Sequence, residues 1–326
     1  MLKLKTIYLV IPCYNEEAVL PESAKQIRHI MTNLIEAGKI TSASRVCFVN
    51  DGSKDNTWEI IEQLNQESSL FSGINLAHNK GHQNALLAGL LTVKDYCDAA
   101  ISLDADLQDD VTVVEKFIDK FYEGCDIVYG VRSSRKRDSF FKRTSAQVYY
   151  KLMHSMGVDI ISDHADYRLM SKRALESLAK FKEVNLFLRG IIPMIGYKTG
   201  YVEYERYERF AGVSKYPLKK MISFGLEGIT SLSIRPIRLI TMLGLGIFLI
   251  SIAMLIYFLA IHYLGSTVPG WTTIVISIWA IGGLQLLAIG VIGEYIGKIY
   301  LESKGRPRFI IERFLNTTEE DRENAQ

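Results

Sequence analysis

The chain has 326 residues, with 38 Lys and Arg against 36 Asp and Glu, so its formal net charge is only +2. This length leaves room for two or three domains, and so small a charge offers no support for nucleic-acid binding. The absence of a G-x-G-x-x-G or G-K-[ST] phosphate loop argues against a dinucleotide dehydrogenase and a P-loop ATPase. Four scattered cysteines without metal-ligand spacing are predicted to be buried thiols in a reducing compartment.

Residues 6–130 alternate between short apolar runs and amphipathic segments, and a polar loop follows each run. The predicted strands are 7–11, 46–49, 74–77, 99–103 and 126–131, and the predicted helices are 20–35, 58–64 and 85–91. This alternation is typical of a mostly parallel sheet covered by helices. In such a sheet the ligand site lies at the carboxyl ends of the strands, where the polar loops collect.

The fourth predicted strand ends in an acidic stretch. Asp104 and Asp106 point to the same side if the extended conformation continues beyond the strand. With Gln108 beside them, these oxygen ligands suit Mg²⁺ or Mn²⁺ carrying a substrate diphosphate. The alternative is a solvated acidic turn in which Asp109 and Asp110 cap the next helix.

A basic cluster follows the fifth predicted strand. Its members are Arg132, Arg135, Lys136, Arg137, Lys142 and Arg143, interrupted by Phe140 and Phe141. A charge run is usually a solvated face. Next to an acidic metal site, the same residues also suit a second phosphate. Beside the two Phe residues, they also suit an anionic membrane surface. The histidines His82, His154 and His164 have no metal-ligand spacing, and surface or core positions are expected for them.

Two apolar segments without charged residues, Leu239–Ile261 and Trp271–Gly293, come later in the chain. Each exceeds the roughly 20 residues that span a bilayer core, and a buried soluble hairpin is the alternative. Lys and Arg flank the pair on its outer sides, whereas the connector 262–270 has neither. The positive-inside rule therefore predicts cytoplasmic outer flanks and an external connector. Glycines in the second segment leave room for a homo-oligomer.

The predicted domains are an α/β domain at 1–216, an interfacial amphipathic helix at 217–234, a transmembrane hairpin at 235–300 and a cytoplasmic tail at 301–326. The helix at 217–234 has apolar positions at helical spacing with Lys219 and Lys220 nearby. An ordinary soluble amphipathic helix is the alternative for that segment.

The chain resembles the family 2 glycosyltransferases of the polyprenyl-phosphate type, which include bactoprenol glucosyltransferases and dolichol-phosphate mannose synthases. The matching stretches occur in the family's order and are 10–16, 49–53, 79–81, 104–109, 130–132, 166–169 and 212–216. Three positions depart from the usual pattern on the acceptor side. Ala165 and Tyr167 flank Asp166 where Gly and Phe are more usual, and Val213 stands where a polar residue is common.

This resemblance implies a GT-A fold, a Rossmann-like and mostly parallel sheet, in a cytoplasmic domain followed by a two-helix transmembrane hairpin. It also implies an inverting, metal-dependent transfer from a nucleotide sugar, most simply UDP-glucose, to undecaprenyl phosphate at the inner membrane. The lipid-linked sugar would serve cell-surface glycan modification, and Mg²⁺ or Mn²⁺ would be the cofactor.

The same resemblance implies roles for individual residues. Those implied for the nucleotide are Pro12, Tyr14, Glu16, Asp51, Ser53, Lys80 and Asp104, and those for the metal are Asp106 and Gln108. The implied catalytic set is Asp106, Asp166, Arg132, Arg143 and Lys215, of which the three basic residues would face phosphates. Asp166 is a candidate general base, or it orients Arg168 instead.

Two other functions fit parts of the pattern. A processive polysaccharide synthase shares the fold, but it would have more spans and a Q-x-x-R-W-type acceptor motif, which this sequence lacks. A non-catalytic membrane scaffold would have degraded acidic motifs, whereas Asp51, Asp104 and Asp106 are all present.

Overall fold

The structure, a computed structural model, describes residues 3–106, 108–132, 164–184, 187–205, 233, 235–263 and 270–316. Arg143, Lys215, nearly all of the basic cluster and nearly all of the predicted helix at 217–234 lie outside these residues. The chain divides into two compact units. The first comprises 1–150, 160–217 and 307–326, and the second comprises 151–159 and 218–306.

The first unit is built on a mixed sheet. Its strands in the described part of the chain are β1 (Ile7–Cys13), β2 (Arg45–Asn50), β3 (Phe71–Leu76), β4 (Ala99–Ser102), β5 (Ile127–Arg132), β6 (His164–Ser171), β7 (Thr199–Tyr204) and β8 (Ile311–Leu315). Their order is β7-β5-β6-β4-β1-β2-β3-β8. The pairs β1–β2, β1–β4, β2–β3 and β5–β7 are parallel, whereas β6 and β8 run antiparallel to their neighbours.

Helices cover both faces of this sheet. They are α1 (Leu20–Glu36), α2 (Thr57–Glu67), α3 (His82–Val93), α4 (Val114–Tyr122), α5 (Lys172–Leu178) and α6 (Leu188–Met194). Alternate residues of β1 belong to two separate buried clusters: Leu9 packs with α1, α2 and α4, and Val10 packs with α3, α5 and α6. Strands that are buried on both faces of a sheet have unbroken apolar sequences, and these apolar runs are the pattern that predicts the strands.

The strands β1 and β3 differ most from their predicted bounds. The first does not end at Ile11 but continues through Pro12 to Cys13, paired with β2. The third strand begins at Phe71, three residues before its predicted start. The prediction started late because Ser72 and Gly73 interrupt the apolar run that marks this strand. All four cysteines of the chain are buried and free, as predicted.

The segment predicted as a tail contains a strand of the sheet. Residues 311–315 form β8, which pairs antiparallel with β3. Without it, β3 would be an edge strand with exposed backbone hydrogen-bonding groups. The segment predicted as a cytoplasmic tail at 301–326 therefore includes a strand of the first unit, although this strand follows the apolar helices in the chain.

The second unit contains two long helices, α7 (Arg235–Tyr263) and α8 (Trp271–Ser303). The segments Arg235–Met254 and Ile281–Ser303 are long and apolar enough to cross a membrane. Their large apolar side chains are exposed: 72% for Met242 and 73% for Leu286. Both predicted spans lie inside these helices.

Candidate active site

Polar loops follow β1, β2, β3 and β4 at the carboxyl ends of these parallel strands. Because parallel strands end at the same edge of the sheet, the loops lie side by side, and such an edge is where open α/β sheets bind ligands. Most of the described residues that the resemblance implies for the nucleotide and the metal are in these loops.

The loops after β1 and β2 are joined by hydrogen bonds. The Asn15 backbone nitrogen donates to Ser53 Oγ at 2.9 Å, and the Asn15 side-chain oxygen accepts from the Lys54 nitrogen at 2.8 Å. The Glu16 nitrogen donates to Thr57 Oγ1 at 2.9 Å. Asn15 has a φ of 54°, in the left-handed region that Asn tolerates better than most residues. These bonds therefore fix the backbone that carries the exposed Tyr14.

Asp51 holds the turn that follows β3. Its carboxylate is buried and accepts from the backbone nitrogens of Lys80 at 2.7 Å and Gly81 at 2.9 Å. Burial raises the pKa of Asp51, and these two hydrogen bonds oppose that rise. Gly52 has a φ of 62°, and a Cβ there would lie 2.6 Å from the Asn79 nitrogen. The two loops thus meet so closely that position 52 requires glycine.

His82, the first residue of α3, lies between two carboxylates. Its Nε2 is 3.5 Å from Asp104 Oδ1 and 3.7 Å from Asp166 Oδ2. Although 39% of the Asp104 side chain is exposed, desolvation by surrounding protein raises its pKa to about 6, together with the nearby negative charges of Asp166, Asp109 and Asp106. The site therefore concentrates negative charge around Asp104, with His82 beside it.

Asp166 is paired with two arginines. Its Oδ1 accepts from Arg168 Nη2, and Arg189 binds both of its oxygens, with Nε 3.3 Å from Oδ1 and Nη2 3.1 Å from Oδ2. Burial alone would raise the pKa of Asp166, but Arg189 and Arg168 outweigh burial and hold this pKa well below its usual range. A carboxylate so stabilised in its ionised form is a weak proton acceptor. This geometry favours the orienting role for Asp166 over that of general base.

Arg132 lies beside a buried pair. Tyr204 donates its hydroxyl to Asp109 Oδ1 at 2.8 Å, and Arg132 Nε donates to the Tyr204 oxygen at 3.3 Å. The Arg132 Nη2 is 3.7 Å from Asp109 Oδ1. Asp110 instead caps the following turn, accepting from the Thr112 nitrogen at 2.9 Å and its Oγ1 at 2.6 Å. The capping alternative therefore holds for Asp110, whereas the Asp109 carboxylate binds Tyr204 and faces Arg132.

The remaining implied residues are placed as follows. The Gln108 backbone nitrogen donates to Asp106 Oδ1 at 3.2 Å, which holds the Asp106 carboxylate against the turn that carries Gln108. Pro12 is buried within β1. Arg143 and Lys215 lie outside the described residues, and their roles stay predictions.

The sequence analysis assigns no role in the site to His82 or Arg189, which both contact Asp166. His82 follows a polar loop after a predicted strand, and that position was the one signal available for it. Arg189 lies in α6, 23 residues after Asp166, and no local pattern marks it.

Comparison with known proteins decides the family. Residues 8–179, more than half of the chain, match the profile described as Glycosyl transferase family 2. The chain belongs to glycosyltransferase family 2.

Relatives of this glycosyltransferase align along nearly all of its length. An "Uncharacterized glycosyltransferase YkoT" of Bacillus subtilis (strain 168) is 52% identical, covering 93% of this chain and 90% of that protein. A "Bactoprenol glucosyl transferase" of Shigella phage SfX is 40% identical, covering 94% of this chain and 98% of that protein. The resemblance drawn from the sequence motifs is confirmed.

A solved structure supports the fold. The crystal structure of mannosyl-3-phosphoglycerate synthase from Rubrobacter xylanophilus aligns with a TM-score of 0.50 at 14% identity, covering 72% of this chain and 74% of that chain. At this identity the likeness concerns the fold alone. The predicted fold class, a GT-A-like α/β sheet followed by two long apolar helices, is confirmed.

Proposed function

We propose that this glycosyltransferase moves a sugar, most simply glucose from UDP-glucose, onto a polyprenyl phosphate at the cytoplasmic face of the cell membrane. The observation that carries the proposal is the 40% identity to a bactoprenol glucosyl transferase over 94% of this chain, a length that includes the apolar helices as well as the GT-A-like sheet. The product would be a lipid-linked sugar that supplies cell-surface glycan modification.

The exposed apolar helices support a membrane location. Leu286 and Ile289 on α8 are 73% and 64% exposed, and Met242 on α7 is 72% exposed. Contiguous apolar surface of this kind needs a partner, and a lipid bilayer is the partner that fits helices of this length. In the proposed topology the residues that flank α7 and α8 on their outer sides are cytoplasmic. The sheet is then on the same side of the membrane as the acceptor phosphate.

A divalent cation fits the donor set of the acidic stretch. Asp104, Asp106 and Gln108 offer oxygen atoms, and the raised pKa of Asp104 reflects desolvation and nearby carboxylates whose charge a cation would relieve. Among the described residues, no group of three or more His, Cys, Asp or Glu side chains is placed to hold an ion alone. Mg²⁺ in such sites binds one or two carboxylates and completes its coordination with substrate phosphates and water, and Mn²⁺ favours the same oxygen ligands. Such a cation neutralises the charge that develops on a leaving diphosphate.

The phosphate of the acceptor lipid has to be positioned by the enzyme, but it does not have to be deprotonated. A lipid phosphate is already ionised at neutral pH, so it attacks without giving up a proton to an enzyme base. Arg189 is one third exposed and is held by Asp166, and a guanidinium is a group that binds phosphate oxygens through charge-assisted hydrogen bonds. Arg132 is also about one third exposed and lies near Arg189. We assign both to the acceptor phosphate, with Asp166 as the group that holds Arg189 in place.

Arg143→Ala and Lys215→Ala are each expected to raise the KM for the lipid phosphate about tenfold or more, because each would remove the charge-assisted contact that the proposed function assigns to that residue. The KM for the nucleotide sugar should change little. Initial rates at varied lipid and fixed donor concentrations measure the effect. Arg173→Ala is the matched control, because Arg173 is exposed and pairs with Asp126 rather than with the site. A larger rise in the donor KM than in the lipid KM would place Arg143 and Lys215 at the donor.

The proposed function is tested with the purified full chain, Mg²⁺ or Mn²⁺, undecaprenyl phosphate and a panel of nucleotide sugars. We expect one donor to give undecaprenyl phosphate carrying a single sugar, identified by mass. A growing polymer would favour the processive synthase. No turnover of any donor, with or without lipid, would favour the scaffold.

A further inference from the structure

The C-terminal strand reaches the donor side of the sheet through a β-bulge. Asn75 of β3 pairs with Arg313 and Leu76 pairs with Ile311, so Glu312 of β8 is an extra residue without a partner in the register. Bulges often lie next to functional sites and turn a side chain away from the direction that regular pairing would give it. Here the bulge places the Glu312 side chain toward the ends of β2 and β3.

Glu312 begins a chain of directed hydrogen bonds. Asn75 Nδ2 donates to Glu312 Oε2 at 2.9 Å, and Asn50 Nδ2 donates to Asn75 Oδ1 at 2.7 Å. The Ser53 backbone nitrogen then donates to Asn50 Oδ1 at 3.2 Å. An ionised carboxylate can only accept, so Glu312 sets which end of the Asn75 amide faces it. That choice in turn sets the Asn50 amide so that its oxygen faces Ser53.

This chain of hydrogen bonds from Glu312 through Asn75 and Asn50 to Ser53, called the relay below, ends in the loops assigned to the nucleotide. Ser53 Oγ accepts from the Asn15 nitrogen, which couples the loops after β1 and β2. The relay also borders a cavity of about 460 Å³ lined by Tyr14, Asn79 and Glu312, among others. Asn50 is 3% exposed, so an amide turned the wrong way would leave a buried polar group unsatisfied. The strand that follows the apolar helices thus contributes to the same pocket as the first loop of the chain.

We infer that β8 completes the donor site and that Glu312 is a positioning residue, which holds Asn50 and the loop 51–55 in the geometry that binds the nucleotide. The inference rests on the proposed function, in which these loops bind a nucleotide sugar. Glu312 acts through Asn75 and Asn50, so its role requires an acceptor oxygen at position 312 rather than a negative charge.

This distinction gives a sharp test with two substitutions. Glu312→Ala removes the acceptor and is expected to raise the KM for the nucleotide sugar about threefold to tenfold, with kcat and the lipid KM unchanged. Glu312→Gln keeps an acceptor oxygen, and the Ser53 backbone N–H, which can only donate, holds the two Asn amides in the same orientation from the other end. This variant should therefore restore the donor KM to near the wild-type value. Asn75→Ala interrupts the relay one step later and should reproduce the effect of Glu312→Ala. Calorimetric titration of UDP, with Mg²⁺ present, should show the same order of affinities without requiring turnover.

Glu62→Ala is the matched control, because Glu62 pairs with Arg313 on the same strand but does not line the cavity. An equal rise in donor KM for Glu62→Ala and Glu312→Ala would reduce the effect to general support of β8 and overturn the inference. So would a Glu312→Gln variant as impaired as Glu312→Ala, since that result would mean that the charge itself is needed. If the wild-type protein binds UDP and the variants show the expected order of UDP affinities, but the wild-type protein transfers nothing to lipid, the proposed function fails and the inference stands. If it binds no UDP, both fail.

Discussion

Asp106→Asn is expected to lower sugar transfer about a hundredfold or more, because the leaving diphosphate loses compensation for its developing charge. Asp106 follows β4, and its Oδ1 accepts from the Gln108 nitrogen. Asparagine keeps an oxygen that can accept this bond, so the local turn and the thermal stability should be preserved. The expected loss is therefore confined to the charge that the carboxylate contributes.

Initial rates over a range of Mg²⁺ or Mn²⁺ concentrations measure this effect, and calorimetry shows whether UDP binding loses its dependence on the cation. Asp110→Asn is a closely matched control, since Asp110 lies in the same stretch but caps Thr112. That variant should keep nearly normal activity. An Asp106→Asn enzyme with normal turnover and an unchanged requirement for the cation would place the metal site elsewhere.

Asp166→Ala is expected to reduce the free energy of unfolding by about 3–5 kcal/mol, because it leaves the Arg168 guanidinium buried without its counter-ion. The Arg168 side chain is only 1% exposed. Its Nε and Nη1 have no hydrogen-bond partner within the part of the chain that the structure describes. Loss of the carboxylate would therefore strand a positive charge in the core of the sheet, with a fall in melting temperature of about 10 °C.

Thermal unfolding of the full chain in detergent measures this loss. Asp126→Ala is a useful control: Asp126 is also a buried carboxylate paired with an arginine, but Arg173 is 63% exposed and can return to water. That variant should lose much less stability. Because the folded-state pKa of Asp166 is depressed, its contribution is present at neutral pH and is lost as the pH falls through the acid range. Equal losses for the two variants would show that Arg168 does not depend on Asp166.

The parallel half of the sheet was predictable because its strands are buried on both faces. Ile7, Leu9 and Ile11 face one cluster and Tyr8 and Val10 the other, so the strand reads as one apolar run. The short strand β8 gives no such signal. Its residues Ile311–Leu315 include Glu312 and Arg313 and have a partly exposed face, and only the pairing with β3 defines them as a strand.

Parts of the candidate site were predictable where they depend on the position of a residue after a strand. Parts that depend on contacts between separate strands and helices were not. Asp104 and Asp106 follow a strand, and this position alone indicates a ligand site. The pairing of Asp166 with Arg189 joins β6 to α6, and the contacts of His82 join α3 to the loop after β4 and to β6. No spacing in the sequence specifies such contacts. Asp109 looked like a helix cap, and only the approach of Tyr204 from β7 shows its different partner.

We propose that the lipid phosphate displaces the nucleotide diphosphate from the sugar in a single step, and the anomeric configuration of the product tests this step. Asp104 and Asp106 are assigned to the nucleotide and the metal, and Asp166 is held between Arg168 and Arg189, so none of them is free to attack the sugar. A retaining double displacement would need such an enzyme nucleophile. The lipid made from an α-linked nucleotide sugar should therefore carry a β-linked sugar on its phosphate, as read from NMR coupling constants. An α-linked product, or a sugar attached to anything other than the lipid phosphate, would contradict this single displacement.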